Sequence, residues 1–346
     1  MGTVAVVRAL YHLTIPPPPI PGTEAVLQEV ELLRSRFGGE TIFLLPFSRP
    51  RPFFPRPFYG LHRLGAIQRL ERRVDLHHIY NSELYFFPVL RFLLKPLVYT
   101  VVSGFDGNHR IASIDRLRRI HRIVVQSRRD LEVLKQQGLT NVMMIRPGID
   151  VPRFSHTPLA AGPDFVLMAG SAPWTREQFR TKGVDALLKV AQQEPSLRLI
   201  FLWRGLLLRE LEKRVDALRL TDRVEILSEW VDVNEVLARA HAAVVLADWP
   251  RLIKAYPHSL LEALACGRPV VVSRQVPMAE YVQETGCGEV VQSLDESELR
   301  RAIERLRENY DTCRANALRV GRRDFRQEEL LEAYATVYAS IADVPE

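Results

Sequence analysis

The sequence alternates apolar runs of strand length with helical patterns almost from one end to the other. Such alternation is typical of a parallel sheet covered by helices on both faces. The 346 residues exceed what one hydrophobic core usually supports, so the length predicts two domains. A polar, proline-bearing stretch follows Gly148 and runs to Pro163, after which the alternation restarts. We interpret this stretch as the linker between two α/β halves.

Six strands are predicted in each half, together with helices between them. The predicted strands are residues 4–9, 41–45, 76–80, 97–102, 122–126 and 142–145, then 165–169, 197–202, 224–227, 243–246, 269–273 and 289–291. Helices are predicted at 23–36, 61–70, 295–306 and 327–341. We therefore expect two Rossmann-like, doubly wound domains at residues 1–148 and 149–324, and a C-terminal helix at 325–346 that packs back on the first domain.

The composition limits the kinds of partner. The formal charge is +6, from 47 basic and 41 acidic residues, which favours anionic ligands without requiring nucleic acid. Three cysteines show no metal-ligand spacing and, being an odd number, no disulfide framework, which predicts a reducing cytoplasm. The sequence opens directly into a strand-like run, and its longest apolar stretch is too short to cross a bilayer, so neither a leader peptide nor a membrane span is predicted.

One segment, residues 49–73, has a strongly biased composition. It contains seven arginines and a single acid, Glu71, interleaved with aromatic residues. Arginines next to exposed aromatic side chains could hold the protein against anionic lipid headgroups at the inner face of a membrane. The alternative is a solvated connection followed by an amphipathic helix packed on its own sheet. Nucleic-acid binding is not predicted, because no dedicated basic groove or stacking platform is apparent.

Open parallel sheets bind ligands beyond the carboxyl ends of their strands, where helix N-termini favour anions. The densest cluster of chemically informative residues lies at 254–273, with the sequence KAYPHSLLEALACGRPVVVS. From Tyr256 to Val271 it resembles the donor-site signature of retaining family 4 glycosyltransferases of the GT-B fold, also called glycosyl transferases group 1. The resemblance implies two Rossmann-like domains facing across a cleft, with the acceptor on the N-terminal side and the nucleotide-sugar donor on the C-terminal side.

The resemblance assigns roles to several residues of this cluster. Glu262 occupies the position of the glutamate that binds the ribose hydroxyls, and a carboxylate suits vicinal hydroxyls. Its neighbour Leu261 is also assigned to donor binding. Lys254 stands where the family has an acid that contacts the transferred sugar. Lys254 could recognise a carboxylate or phosphate on an unusual donor, mark weakened catalysis, or have no role.

A second part of the resemblance concerns the donor phosphates. Lys182, in the pair Lys182-Gly183, matches a phosphate-binding lysine, and its place before a predicted helix suits a diphosphate. Ser171 stands where the family has an arginine, so Arg180 or Arg176 would have to supply the second charge.

Three further positions are drawn from the resemblance. Val231 falls where the backbone meets the nucleobase, and Gly22 belongs to a loop that meets the donor phosphates at the first helix. The family histidine beside the reacting sugar is replaced by Val102, with His109, His12 and Ser103 as neighbouring candidates. No catalytic side chain is assigned.

The resemblance predicts transfer of a hexose-type sugar from a nucleoside diphosphate to a glycan or lipid-linked acceptor, with retention of anomeric configuration. No metal motif is evident, and no cofactor beyond the donor substrate is expected. The departures at Ser171, Val102 and Lys254 leave open a binding subunit without turnover. A nucleotide-sugar epimerase of the same architecture is the third hypothesis.

Overall fold

The computed structural model describes residues 7–16, 24–46, 54–105, 114–159, 162–203 and 206–342. It divides the chain into two compact units. Unit 1 consists of residues 1–148 and 327–346, and unit 2 of residues 149–326. Each unit is built on one six-stranded sheet in which all strand pairs are parallel. The α/β class and the two doubly wound sheets predicted from the alternating pattern are therefore confirmed.

Unit 1 has the strand order β2-β1-β3-β4-β5-β6. Its strands are β1 (Ala9–Leu13), β2 (Gly39–Phe43), β3 (Leu76–Asn81), β4 (Leu97–Val101), β5 (Arg122–Val125) and β6 (Val142–Met144). Its first four helices are α1 (Ala25–Phe37), α2 (Leu64–Glu71), α3 (Ile114–Leu117) and α4 (Arg128–Gln136). β1, β3 and β4 are buried at every position, as expected for central strands covered on both faces.

The ends of α1 follow from local chemistry. The Glu24 carboxylate accepts a hydrogen bond from the Val26 N–H and caps the start of the helix. Gly38 ends the helix with a positive φ of 73°. Gly39, at φ 97°, then enters β2, where an added Cβ would lie 1.9 Å from the Ala9 carbonyl oxygen. Only glycine fits at this position. Its presence allows β2 to begin directly after the C-cap of α1.

Unit 2 has the strand order β12-β11-β10-β7-β8-β9. Its strands are β7 (Phe165–Ala169), β8 (Leu197–Leu202), β9 (Val224–Leu227), β10 (Ala242–Val245), β11 (Val270–Ser273) and β12 (Gly288–Val291). Its helices are α5 (Gln178–Thr181), α6 (Val184–Gln193), α7 (Leu208–Ala217), α8 (Val233–Arg239), α9 (His258–Ala265), α10 (Ala279–Thr285), α11 (Glu296–Glu308) and α12 (Tyr310–Asp324). Apolar clusters fill both faces of this sheet.

The last helix, α13 (Gln327–Ala342), belongs to unit 1 although it ends the chain. It packs beside α1. The Tyr338 hydroxyl lies 2.6 Å from His78 Nδ1, and the Tyr334 hydroxyl lies 2.8 Å from Thr100 Oγ1. His78 Nε2 and Thr100 Oγ1 are 2.8 Å apart, so two helix tyrosines and two strand residues form one buried polar chain.

Two predicted strands of unit 1, β1 and β2, have different bounds in the structure. β1 lies at Ala9–Leu13, so it shares only Ala9 with the described part of the predicted strand 4–9; His12, which interrupts the apolar pattern, is buried in β1 through a bond to His77. β2 begins two residues early because Gly39 is its first residue and not part of the helix stop. Residues 4–6 lie outside the described part of the chain.

The predicted linker is also wrong in its first part. Ile149, Val151 and Phe154 are buried in the core of unit 2, and the Ile149 N–H donates to the Phe325 carbonyl at 2.8 Å. Three apolar residues thus attach the stretch to the unit that follows.

The helix α12 was not predicted from the sequence. Its Gly321 packs directly on the backbone of α9, where an added Cβ would lie 2.2 Å from the Leu264 carbonyl carbon.

None of the helices in the described part of the chain combines the length and apolar character that crossing a bilayer requires.

Candidate functional site

The order of strands in unit 2 reverses between β7 and β10. From β7 the chain proceeds outward to β8 and β9, then returns to β10 and continues to β11 and β12 on the other side. β7 and β10 pair directly, with Val244 opposite Ala169. At such a reversal the loops after the two strands diverge to opposite faces, and ligands of open α/β sheets bind there. In unit 2 these loops begin at Gly170 and at Leu246.

Two helices start at this reversal point. An added Cβ at Gly170 would lie 2.8 Å from Ser259 Cβ, so the loop after β7 touches the first turn of α9. An added Cβ at Gly183 would lie 2.6 Å from Leu246 Cδ1, so the start of α6 touches the end of β10. Gly183 and Pro257, the N-cap residues of α6 and α9, provide no side-chain cap. The first-turn N–H groups of both helices therefore make this edge attractive to an anion.

Lys182 immediately precedes α6 and is almost fully buried, with 7% of its surface exposed. Its Nζ donates to Ser171 Oγ at 3.3 Å and to the Ala172 carbonyl at 3.2 Å, both uncharged acceptors. Among the described residues no carboxylate lies within ion-pair distance of it. Burial lowers the pKa of Lys182 to about 8. An anionic ligand would supply the missing opposite charge.

The two arginines considered as a second phosphate contact are engaged at the surface. The Arg180 guanidinium lies 3.8 Å from Asp248 and 3.7 Å from Glu177, and Arg176 lies 3.6 Å from Glu210. These are long, exposed ion pairs, which contribute little free energy and can rearrange. Arg180 is next to Thr181, whose carbonyl accepts the Asp248 N–H at 2.9 Å, so α5 is joined to the loop after β10.

α9 carries the predicted ribose contact. Glu262 is half-buried and lies three residues after Ser259, on the same side of the helix and roughly 4.5 Å further along its axis. Leu261 is fully buried in the apolar core, and its N–H donates to the Pro257 carbonyl at 3.3 Å. The Leu261 side chain therefore packs in the core, and its role in donor binding stays a prediction.

Two loops carry the remaining unit 2 candidates. Lys254 is half-buried and follows β10 in the loop that leads to α9. Val231 lies between β9 and α8 and packs against the core, while its neighbour Trp230 is 61% exposed. Every one of these loops leaves the carboxyl end of a strand, the edge at which the sequence predicts a ligand.

The candidates in the first half are not assembled into a described site. Gly22 and His109 lie outside the described residues. Val102 and Ser103 are buried directly after β4. His12 is enclosed in the core of unit 1, with its Nε2 2.9 Å from His77 Nδ1. His12 is thus a structural residue and not a group that faces a ligand.

Sequence reasoning missed two residues that shape the reversal point. Ser259 lies within the donor-site signature, but its close contact with Gly170 depends on how α9 packs beside the loop after β7. Asp248 connects Arg180 with the loop after β10, and no local pattern identifies it. Among the described residues, no three His, Cys, Asp or Glu side chains are grouped to hold a metal ion.

Comparisons with known proteins agree with this geometry. Residues 174–319 match the family Glycosyl transferases group 1. No curated protein sequence matches the chain. Similar solved structures include HepE from Anabaena in complex with UDP and glucose (16% identity, TM-score 0.73, 96% of this chain and 99% of that chain). They also include sucrose-phosphate synthase from Thermosynechococcus elongatus (16% identity, TM-score 0.72, 96% of this chain and 98% of that chain). A third is WaaG, a glycosyltransferase involved in lipopolysaccharide biosynthesis (14% identity, TM-score 0.67, 98% of this chain and 100% of that chain).

By its fold the chain is therefore of the GT-B class, as its sequence resemblance predicts. Residues 174–319, which lie within unit 2, are similar in sequence to the glycosyl transferases group 1 family. The family match includes Lys182, Lys254 and Glu262 and ends within α12. The finer assignment to family 4 stays a prediction.

Proposed function

We propose that the protein transfers a sugar from a nucleoside-diphosphate sugar to a glycan or lipid-linked acceptor, with retention of anomeric configuration and without a metal. The observation that carries the proposal is Lys182. It is a buried cation without a carboxylate partner in the described structure, placed directly before the start of α6 and bonded to the loop after β7. HepE, which has the same fold, binds UDP and glucose, and this supports a nucleotide-sugar donor here.

In this proposal the pyrophosphate is bound at the reversal point of the unit 2 sheet. Lys182 and the first-turn N–H groups of α6 and α9 stabilise the negative charge that develops on the leaving diphosphate as the glycosidic bond breaks. The dry surroundings of Lys182 strengthen its attraction to that charge. Arg180 would leave Asp248 to provide a second cation.

The nucleoside is held by α9 and by the loop after β9. Glu262 accepts hydrogen bonds from the two ribose hydroxyls, a bidentate arrangement that suits a carboxylate. The exposed Trp230 and the neighbouring Val231 provide a surface for the base. Lys254, in the loop before α9, faces the sugar, and its charge would favour a donor whose sugar carries a carboxylate or phosphate.

A donor panel tests the proposal. Purified protein is incubated with uridine, guanosine and adenosine diphosphate sugars, including a uronic acid donor, with and without candidate acceptors, and products are identified by mass spectrometry and NMR. A glycosylated product that keeps the donor's anomeric configuration supports retention, and an inverted product contradicts it. Lys182→Met serves as the low-activity control.

A second candidate function is a nucleotide-sugar-binding subunit without turnover. It is favoured by Ser171, which provides an uncharged acceptor to Lys182 at the position where the family resemblance predicts an arginine. Nucleotide binding with neither transfer nor hydrolysis across the panel would support this candidate. Interconversion of free donors without an acceptor would instead identify an epimerase.

A further inference from the structure

A strip of large apolar side chains is exposed on unit 1. Its members Phe58, Phe92 and Leu94 are 54%, 48% and 87% exposed. The 3-10 turn that ends at Phe58 packs against the 3-10 turn that ends at Phe92, and Leu94 follows two residues later. Single exposed apolar residues are common, but several on adjoining segments mark an interaction surface. We call Phe58, Phe92 and Leu94 the apolar strip.

The surroundings of the apolar strip are positively charged. Residues 54–73 and 83–95 contain seven arginines or lysines and two acids. Of these acids, Glu71 is buried and Glu83 forms an ion pair with Arg56. Arg91 and Lys95, which flank the strip, are exposed. The exposed charge around the strip is therefore mainly basic, which is complementary to an anionic surface.

The strip is held by a fixed backbone. The Glu71 carboxylate accepts the Leu94 N–H at 2.6 Å and the Lys95 N–H at 3.1 Å, and it also binds His77 Nε2 at 2.7 Å. At the other end of the strip, Tyr59 stacks on Phe87 with ring centroids 5.5 Å apart. Leu94 thus projects to solvent from a segment that is attached to the core.

We propose that the apolar strip and its flanking cations bind the surface of an anionic lipid bilayer. Apolar side chains that insert at the acyl boundary, with arginines and lysines at the level of the headgroups, are what interfacial attachment requires. A nucleic-acid partner would use aromatic stacking platforms, whereas the most exposed member, Leu94, is aliphatic. The proposal retains the lipid partner predicted for residues 49–73 but places the contact at residues 54–63 and 88–95.

Vesicle sedimentation with the full-length protein tests this surface without any nucleotide. Wild type should sediment with phosphatidylcholine vesicles that contain about 30% phosphatidylglycerol and remain largely soluble with phosphatidylcholine alone. The double variants Phe92→Ser/Leu94→Ser and Arg91→Glu/Lys95→Glu should each reduce the partition coefficient at least about 10-fold. Salt at about 0.5 M should release the wild type, because it screens the headgroup attraction.

Matched controls come from exposed residues of unit 2. Leu206→Ser removes an exposed apolar side chain, and Arg209→Glu/Lys213→Glu makes the same change in net charge as the Arg91/Lys95 variant. Both controls should sediment like wild type, and circular dichroism and thermal unfolding without ligand should confirm that all variants are folded. Wild type that ignores anionic vesicles, variants that bind like wild type, or binding to a single-stranded RNA in place of vesicles would overturn the proposal. Because no nucleotide is used, these outcomes are separate from the test of sugar transfer.

Discussion

Lys182 links the stability of unit 2 with the proposed binding of a diphosphate. Burial lowers its pKa from 10.5 to about 8, so at neutral pH the folded protein contains a charged group in an environment that disfavours the charge. A change of one in pKa corresponds to about 1.4 kcal/mol. The buried charge of Lys182 therefore lowers the free energy of unfolding of the unliganded protein. Residues that serve function often have such a cost in stability.

Lys182→Met should stabilise the unliganded protein by up to about 3 kcal/mol at pH 7, because the methionine removes the buried charge. The increase in the free energy of unfolding should be largest below the folded pKa of about 8. It should disappear as the pH rises above 10.5, because the lysine is then neutral in the unfolded chain as well. Urea unfolding at several pH values measures it. The same variant should lose nucleotide-diphosphate-induced stabilisation, and Lys189→Met, at an exposed lysine of α6, is the matched control.

Donor affinity should also depend on pH. In wild type the affinity for a nucleoside diphosphate should decrease as the pH rises through about 8, since the free protein loses the Lys182 proton there. Calorimetric titrations between pH 7 and 9.5 measure this dependence. Lys182→Met should bind weakly with a flat profile over that range. If the affinity of wild type were as independent of pH as that of the variant, Lys182 would not contact the phosphates.

Glu262→Gln should weaken binding of a ribonucleoside diphosphate by about 10-fold to 100-fold, roughly 1.4 to 2.8 kcal/mol, because the variant loses one charged acceptor for the ribose hydroxyls. The 2′-deoxy analogue should bind wild type and the variant with more similar affinity, and inorganic pyrophosphate should not distinguish them. Glu280→Gln, in the first turn of α10, is the control substitution. Equal losses for all three ligands would indicate a structural role for Glu262.

At the scale of elements, α13 shows how a helix distant in sequence completes the core of unit 1. Tyr338→Phe should destabilise the protein by about 1 to 3 kcal/mol, because it leaves the buried His78 Nδ1 without its partner at 2.6 Å. Thermal or urea unfolding measures the loss. Thr336→Val removes a hydroxyl from an exposed position of the same helix and should change stability by less than about 0.5 kcal/mol. Similar effects of the two substitutions would contradict the buried chain.

The sequence predicted elements best where one physical signal dominates. β7, β8 and β9 were predicted with their observed bounds, because each is a short apolar run between polar turns. β1 was displaced because a buried histidine looks like a strand end until its partner on β3 is known. α12 has a largely polar sequence, and its place depends on the contact between Gly321 and α9. Such tertiary contacts have no local signature.

The candidate site divides in the same way. Lys182 and Glu262 could be found from the sequence because each stands in a motif whose loop and helix start are local features. The burial of Lys182 and the approach of Ser259 to Gly170 could not be found, since both depend on how α5, α6 and α9 meet the ends of β7 and β10. The motif identifies the chemical groups, and packing determines their electrostatic state.

At the scale of the whole molecule, acid should affect the two units unequally. Unit 1 buries His12, His77 and His78 completely, and burial lowers the pKa of all three, so they are neutral in the folded state. Below the ordinary histidine pKa of about 6.5 the unfolded chain binds protons that the folded chain does not. The free energy of unfolding therefore decreases as the pH falls. At pH 5.5 a histidine that stays fully neutral in the folded state lowers stability by about 1.4 kcal/mol.

We therefore expect unit 1 to unfold before unit 2 as the pH falls from 7.5 to 5.5, while a bound nucleoside diphosphate protects unit 2 alone. Hydrogen exchange read by mass spectrometry reports the two units separately. His12→Gln should reduce the pH dependence in unit 1, because one of three buried neutral histidines is replaced by a group that does not titrate. His62→Gln, at an exposed position of the same unit, should change the slope less than His12→Gln does, because an exposed imidazole loses less of its hydration than a fully buried one. If unit 2 opens first on acidification, the buried histidines do not control acid stability.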